Sequence, residues 1–306
     1  MVQQMTEIAG GDPSARPSSR APEMEDWLNA NIFHPLARLT AVGLEPTGIS
    51  PNMVSVMGGI SVVTAGFLFT FTPWPTSALL GATMLFLWHV LDGADGDLAR
   101  LTGKASPLGE LVDGACDYVS QIILYVFLAA FLDDSVGAAA WWIAAASGAS
   151  RIVQANQAES QRRTYLWRVY GIPWLRNAKA GNDEVFSKKG PLARFLTAGG
   201  RFYIGLAGAI NPGSSRVDAL VEAASTDHRV EVRSLSRRAG EAGLRIQHWL
   251  GANPRSVMLS VSMAAGTPLW FFLYECVLLN ILLAWSLRQQ NRSNGWLAEQ
   301  LERLNA

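Results

Sequence analysis

Two cysteines in 306 residues, Cys116 and Cys276, both inside apolar segments, exclude a disulfide framework. The four histidines stand alone, without the spacing of a zinc site. Charge is also scarce. Asp, Glu, Lys and Arg make up 16% of the chain, and 25 basic residues balance 25 acidic ones. No basic excess or recognition motif therefore points to nucleic acid. The first 24 residues contain no apolar stretch, which argues against a cleavable signal peptide and for a disordered tail over 1–24. No internal repeat is visible. What remains is apolar: 49% hydrophobic residues, 11 Trp and a positive mean hydropathy place the chain among membrane proteins.

Residues 53–72 run for 20 positions without a charge, the length of helix that crosses a hydrocarbon core. Further apolar segments near 76–101, 109–132 and 136–158, and a block over 256–287 broken at Gly266-Thr-Pro268, bring the expected number of transmembrane helices to six. The expected class is all-α and polytopic. A juxtamembrane amphipathic segment, 25–50, has Trp27, Leu28, Ile32, Leu36 and Leu39 at helical spacing, although Pro35 interrupts it. Helices 1–4 fill 51–160, an insertion 161–252 follows, helices 5–6 fill 253–288, and 289–306 is a tail. The loops at 73–75, 133–135 and 266–268 contain no Lys or Arg, whereas 162–255 holds 16 Lys plus Arg against 7 Asp plus Glu. The positive-inside rule then puts both termini and the insertion in the cytoplasm. The insertion is expected to be helical and to adhere to anionic headgroups. A competing seventh span at 195–210 would export several arginines and is disfavoured.

Against this background stands DGADGDLARLTGKASPLGELVDGACD, residues 92–117, with six carboxylates where two apolar helices meet. An uncompensated charge at the bilayer centre costs about 2.5–3.5 kcal/mol, so a cation must offset them. On helices, Asp92 with Asp95 and Asp113 with Asp117 form same-face pairs with side chains about 5–6 Å apart. Two such pairs make a four-carboxylate cup. Oxygen-only ligands suit Mg²⁺, Mn²⁺ or Ca²⁺, and four carboxylates can hold two such ions for chemistry at phosphorus. An EF-hand is excluded, because positions 3, 5 and 6 counted from Asp92 are Ala94, Gly96 and Asp97. The small residues Gly93, Ala94, Gly96, Ala99 and Gly109 leave room at the wall of the cup.

Asp92, Asp95, Gly96, Ala99, Arg100, Gly109, Asp113 and Asp117, in this spacing, reproduce the signature of the CDP-alcohol phosphotransferases, and the chain resembles that family. The resemblance implies an integral membrane enzyme, usually a homodimer. Such enzymes transfer a phosphoalcohol from a CDP-alcohol to an acceptor hydroxyl and release CMP. It implies two divalent ions, Mg²⁺ or Mn²⁺, on Asp92, Asp95 and Asp113, with Asp117 as general base that also touches a metal. It further implies CDP contacts at Asp95, Gly96, Ala99, Arg100 and Gly109. The donor expected is CDP-diacylglycerol and the acceptor a polar alcohol such as glycerol phosphate, inositol or inositol phosphate, in a bacterial inner membrane. CDP-choline, CDP-ethanolamine or a CDP-polyol donor is the alternative. The insertion is longer than the family's usual connection. Two other classes compete: a cation transporter, which would spread its acids over several spans, and a non-catalytic lipid-binding scaffold.

Other polar residues have simpler readings. Arg151 is a candidate contact for the acceptor, or a residue snorkelling to the headgroups. Asp97 and Glu110 read as solvated near the interface, His89 as packed, and Ser50 and Asn52 as caps of the first span. Glu275 and Asn280 read as interhelical hydrogen-bond partners.

Overall fold

The computed structural model describes residues 22–172, 198–199, 205–206, 208–211 and 213–304. Among these residues it is helical, without a strand. A 3-10 turn (Pro22–Met24) and a π turn (Asn29–Phe33) lead into α1 (His34–Leu44). Then come α2 (Pro51–Phe71), α3 (Thr76–Leu101), α4 (Pro107–Val136) and α5 (Ala139–Tyr165). After the insertion's α6 (Ser214–Ala223) and α7 (Arg229–Leu250) follow α8 (Ala252–Ala264), α9 (Leu269–Leu273) and α10 (Leu279–Leu304).

Local chemistry sets these boundaries. Ser50 Oγ accepts from Met53 N at 3.3 Å to cap α2, and Ser106 Oγ accepts from Gly109 N at 3.1 Å to cap α4. Asn52 is no cap; its Oδ1 lies beside Gly109 instead. Residues 27–44 are continuously helical, so Pro35 stands inside the segment, and the π turn Asn29–Phe33 directly precedes the position where its N–H is missing. At Gly266 a φ of 82° turns the chain between α8 and α9.

Four stretches are long and apolar enough to cross a membrane: Pro51–Phe71, Thr76–Leu101, Gly109–Val136 and Leu269–Leu304. Four of the expected six thus stand out by length and composition among the described residues. The other two segments are helical, but α8 has only 13 residues and the second half of α5 is polar. Exposed Ile60, Phe67, Leu79, Ile122, Val126 and Ile281 would be a liability in water and suit a lipid surround. Trp74 Nε1 donates to Ala264 O at 3.1 Å, which puts two of the three loops without Lys or Arg at one end of the bundle.

The core lies where α2 packs on α3 and α4, with Val62, Phe69, Leu85, Leu124 and Leu128 buried together and Leu259 and Phe271 closing it. α1 lies across α3: Ala37 and Ala41 are buried with Leu91, Ala94 and Leu98, while Trp27, Leu36, Leu39 and Val42 stay exposed. That exposed apolar row matches a helix lying in a membrane surface.

The described helices of the insertion pack on other helices along their length. Val232, early in α7, is buried with Leu297 and Leu301, late in α10, while Leu250, at the end of α7, is buried with Leu279 and Leu283. α7 therefore runs antiparallel along α10. Amides join it to α5: Gln247 donates to Gln161, and Gln157 and Gln161 donate to Gln290 of α10 at 2.5–2.6 Å. At 36 residues, Leu269–Leu304 is about 54 Å long, well beyond a hydrocarbon core of about 30 Å, so the polar tail expected over 289–306 continues the helix to Leu304. Residues 22–24 are likewise anchored, since Glu23 accepts from Tyr165 and Tyr170 at 2.9 and 2.7 Å. The rest of the expected tail, and most of the competing span at 195–210, lie outside the described residues.

Candidate active site

The end of α3 and the start of α4 bring the motif together. One carboxylate oxygen from each of Asp92, Asp113 and Asp117 lies within 4.8 Å of the others. Asp95, 6% exposed, joins from the same side, within hydrogen-bond reach of Asp113. Four carboxylates this close repel one another unless a cation lies among them. The donor set is all oxygen, hard and anionic, and it fits a Mg²⁺ or Mn²⁺ ion by its chemistry.

Two residues outside the motif hold two of these acids. Ser55 Oγ, on α2, donates to Asp95 Oδ2 at 2.5 Å, and Trp88 Nε1, one turn before Asp92 on α3, donates to Asp117 Oδ1 at 3.0 Å. Both donors are buried. Sequence reasoning passed over them, since a Ser in an apolar span and a Trp in a core stripe look ordinary. The available signal was helical position: Ser55 is one turn beyond Asn52 and Trp88 one turn before Asp92.

The small residues divide into two groups. A Cβ on Gly93 would stand 2.8 Å from the Ala37 Cβ, and Ala94 is fully buried against α1 and α2. These two serve helix packing, which corrects the expectation that they clear the wall of the cup. Gly96 instead faces the Arg100 guanidinium, whose Nη1 would be 3.4 Å from an added Cβ. Gly109 sits between Ser106 Oγ and Asn52 Oδ1, and Ala99 is partly buried on the same turn of α3. Arg100 donates to Asp97 Oδ1 at 2.5 Å, with Asp97 only 5% exposed. Asp97 is therefore a buried partner of Arg100, not a solvated acid. Glu110 is exposed and meets Arg163 at 3.4 Å.

Arg151 is drawn into a different constellation. Its Nη1 lies 3.4 Å from Glu275 Oε1 and its guanidinium sits 5.9 Å from the centre of the Tyr125 ring. The fully buried Glu275 also accepts from Tyr125 OH and from Ser147 Oγ (2.6 Å), and pairs with Arg255 Nε at 3.1 Å. Gln154 donates to Asn280 Oδ1 at 2.9 Å and accepts from Arg255 at 2.9 Å. Glu275 and Asn280 are thus interhelical partners, as their residue types led one to expect. Arg255, on α8, was not anticipated; it ties the end of α7 and the middle of α5 to the π turn Tyr274–Leu278, which bears Glu275. His89 is a packed residue, 2.9 Å from Ser256 Oγ and against Phe33.

With this geometry in view, comparison with known proteins is informative. Residues 48–170 match the family model described as CDP-alcohol phosphatidyltransferase. Cholinephosphotransferase 1 of Homo sapiens is 38% identical over 88 residues, which cover 26% of this chain and 22% of the relative. Phosphatidylinositol phosphate synthase of Mycobacterium marinum is 31% identical over 127 residues, 41% of this chain and 46% of the relative. Choline/ethanolaminephosphotransferase 1 of Arabidopsis thaliana is 37% identical over 79 residues, 24% and 20% of the two chains. The chain thus spans less than half the length of each of these relatives. The matched region contains α2 to α5 and all four aspartates, and over residues 48–170 the chain is similar to the CDP-alcohol phosphatidyltransferases.

Proposed function

We propose that this protein transfers a phosphatidyl group from CDP-diacylglycerol to a hydroxyl of a small polar alcohol, such as glycerol phosphate, inositol or inositol phosphate, and releases CMP. The observation that carries the reading is the convergence of Asp92, Asp113 and Asp117 oxygens within 4.8 Å, at the junction of two apolar helices. Asp92, Asp95 and Asp113 would hold two divalent ions, Mg²⁺ or Mn²⁺, with Asp117 completing the set. When bound, such ions neutralise the diphosphate and draw charge from the phosphorus under attack.

The chain's own residues do the rest. Asp117 accepts the proton of the acceptor hydroxyl as that oxygen bonds to the β-phosphorus and the bond to CMP breaks. Ser55 and Trp88 hold two of the acids in place. Gly96, Ala99 and Gly109 leave space for the CDP group. Arg100 is a weaker candidate for the diphosphate, since Asp97 already engages it. Arg151 is a weaker candidate for the acceptor for the same reason, with Glu275 as its partner. The same proposal includes a homodimer in a bacterial inner membrane with the cup and both termini on the cytoplasmic side; the orientation is supported by loops at 73–75, 133–135 and 266–268 that contain no Lys or Arg.

Similarity to cholinephosphotransferases favours a second reading, in which the donor is CDP-choline or CDP-ethanolamine. Purified protein incubated with labelled CDP-diacylglycerol and a panel of alcohols separates the two. Acceptor-dependent CMP release with a labelled phospholipid product is expected. Turnover with CDP-choline alone would replace the first reading by the second, and no turnover with any CDP-alcohol would overturn both.

A further inference from the structure

Asp117 closes the motif, but the group that orients its carboxylate comes from outside it. The Trp88 side chain is 4% exposed and reaches across from α3 so that its indole N–H meets Asp117 Oδ1 on α4 at 3.0 Å. The ring is wedged in place. Gly58 of α2 leaves the space its edge fills, with the ring's Cδ1 3.5 Å from where a Cβ would stand, and Leu85, Val62 and Leu124 belong to the same buried cluster. A carboxylate turns readily about its last torsion, because that torsion is broad and roughly two-fold. A fixed donor on one oxygen removes that freedom. Asp117 Oδ2 receives no hydrogen bond from the described residues.

We propose that Trp88 is a positioning residue for the transfer reaction: its N–H fixes the rotation of the Asp117 carboxylate and reserves Oδ2 for the acceptor's proton. This rests on the proposed function, with Asp117 as the base. In the step served, the proton passes from the acceptor hydroxyl to Oδ2 while the new O–P bond forms and the P–O bond to CMP breaks, so charge and atoms balance. A packing role alone would need the ring but not the donor. The donor meets an anion, the stronger class of hydrogen bond, and the oxygen it occupies belongs to the one aspartate assigned to proton transfer.

Trp88→Phe keeps an aromatic ring and removes the N–H. The expected result is a fall in kcat on the order of 10- to 100-fold, the range a hydrogen bond to a charged group supports. KM for donor and acceptor should stay within about twofold, as should Mn²⁺ affinity measured by electron paramagnetic resonance on the purified protein. Site-specific replacement of Trp88 by benzothienylalanine keeps the bicyclic shape without the donor, protects the fold, and should give the same loss. An unchanged kcat in the analogue-bearing protein overturns the proposal, as does loss of Mn²⁺ binding in parallel with turnover, which would make Trp88 a support of the metal cup. Asp117→Asn, run alongside, separates the two levels. If it leaves CMP release intact the proposed function fails; if it abolishes release while the Trp88 variants turn over normally, only the role of Trp88 fails.

Discussion

Changing Glu275 to Gln removes one buried negative charge and almost no volume. The wild-type carboxylate is fully buried, with Tyr125 and Ser147 on Oε2 and the guanidinium groups of Arg151 and Arg255 on Oε1, at 3.4 and 3.1 Å. An amide retains an acceptor for the two hydroxyls. It leaves two cations facing each other, one of them 3% exposed, without a counter-charge. Arg255 cannot swing out to water, because Leu250 O, Gly251 O and Gln154 Oε1 also hold it. Breaking one side of a buried ion pair costs about 3–5 kcal/mol, whereas hydrogen bonds between membrane helices average only about 0.6 kcal/mol. The charge, not the hydrogen bonding, therefore dominates the expected loss. At about 2–4 °C per kcal/mol, the thermal midpoint of the detergent-solubilised protein should fall by about 6–20 °C. Tryptophan fluorescence during heating reads this directly. A shift below about 2 °C would mean that Glu275 does not act as an anion between the arginines, and the electrostatic account of this cluster would be wrong.

Other changes probe other parts of the structure. Gly93→Val sets side-chain atoms against Ala37, 2.8 Å from the new Cβ, and should cost about 1–3 kcal/mol and expose α1 to limited proteolysis. Gly240→Ala brings a Cβ to 2.4 Å from the Tyr165 ring, so it should lower the thermal midpoint by loosening α7 from α5, while a substitution at the exposed Arg238 should not. Excess chelator should stop CMP release, and added Mn²⁺ should raise the thermal midpoint with concentration in the wild type but not in Asp92→Asn. Arg216→Gln removes an exposed pair with Glu302 and should change stability by less than about 1 kcal/mol in chemical denaturation.

Much of the site is readable without coordinates because it is local. Four aspartates at helical spacing, on two helices joined by a short turn, must meet if the turn is tight, and Ser106 caps α4 only five residues after Leu101 ends α3. Trp88 and Ser55 were not readable, since their partners lie 29 and 40 residues away and the same residue types are common in apolar helices. The roles of Gly93 and Gly96 were not separable either. They stand three residues apart, and only the placement of α1 assigns the first to packing.

By itself the sequence determined an all-helical membrane chain, the helix ends marked by Ser50 and Gly266, and the acidic motif that lies within the family match. Those follow from hydropathy, capping chemistry and i, i+3 or i, i+4 spacing, which act within a few residues. Only the tertiary structure decided that the insertion's α7 lies antiparallel along α10, that Glu275 is clasped by Arg151 and Arg255, and that neutral donors from α2 and α3 hold two of the four acids. Each depends on which helix faces of distant segments meet, and a buried polar group takes whichever partner the packing brings within reach.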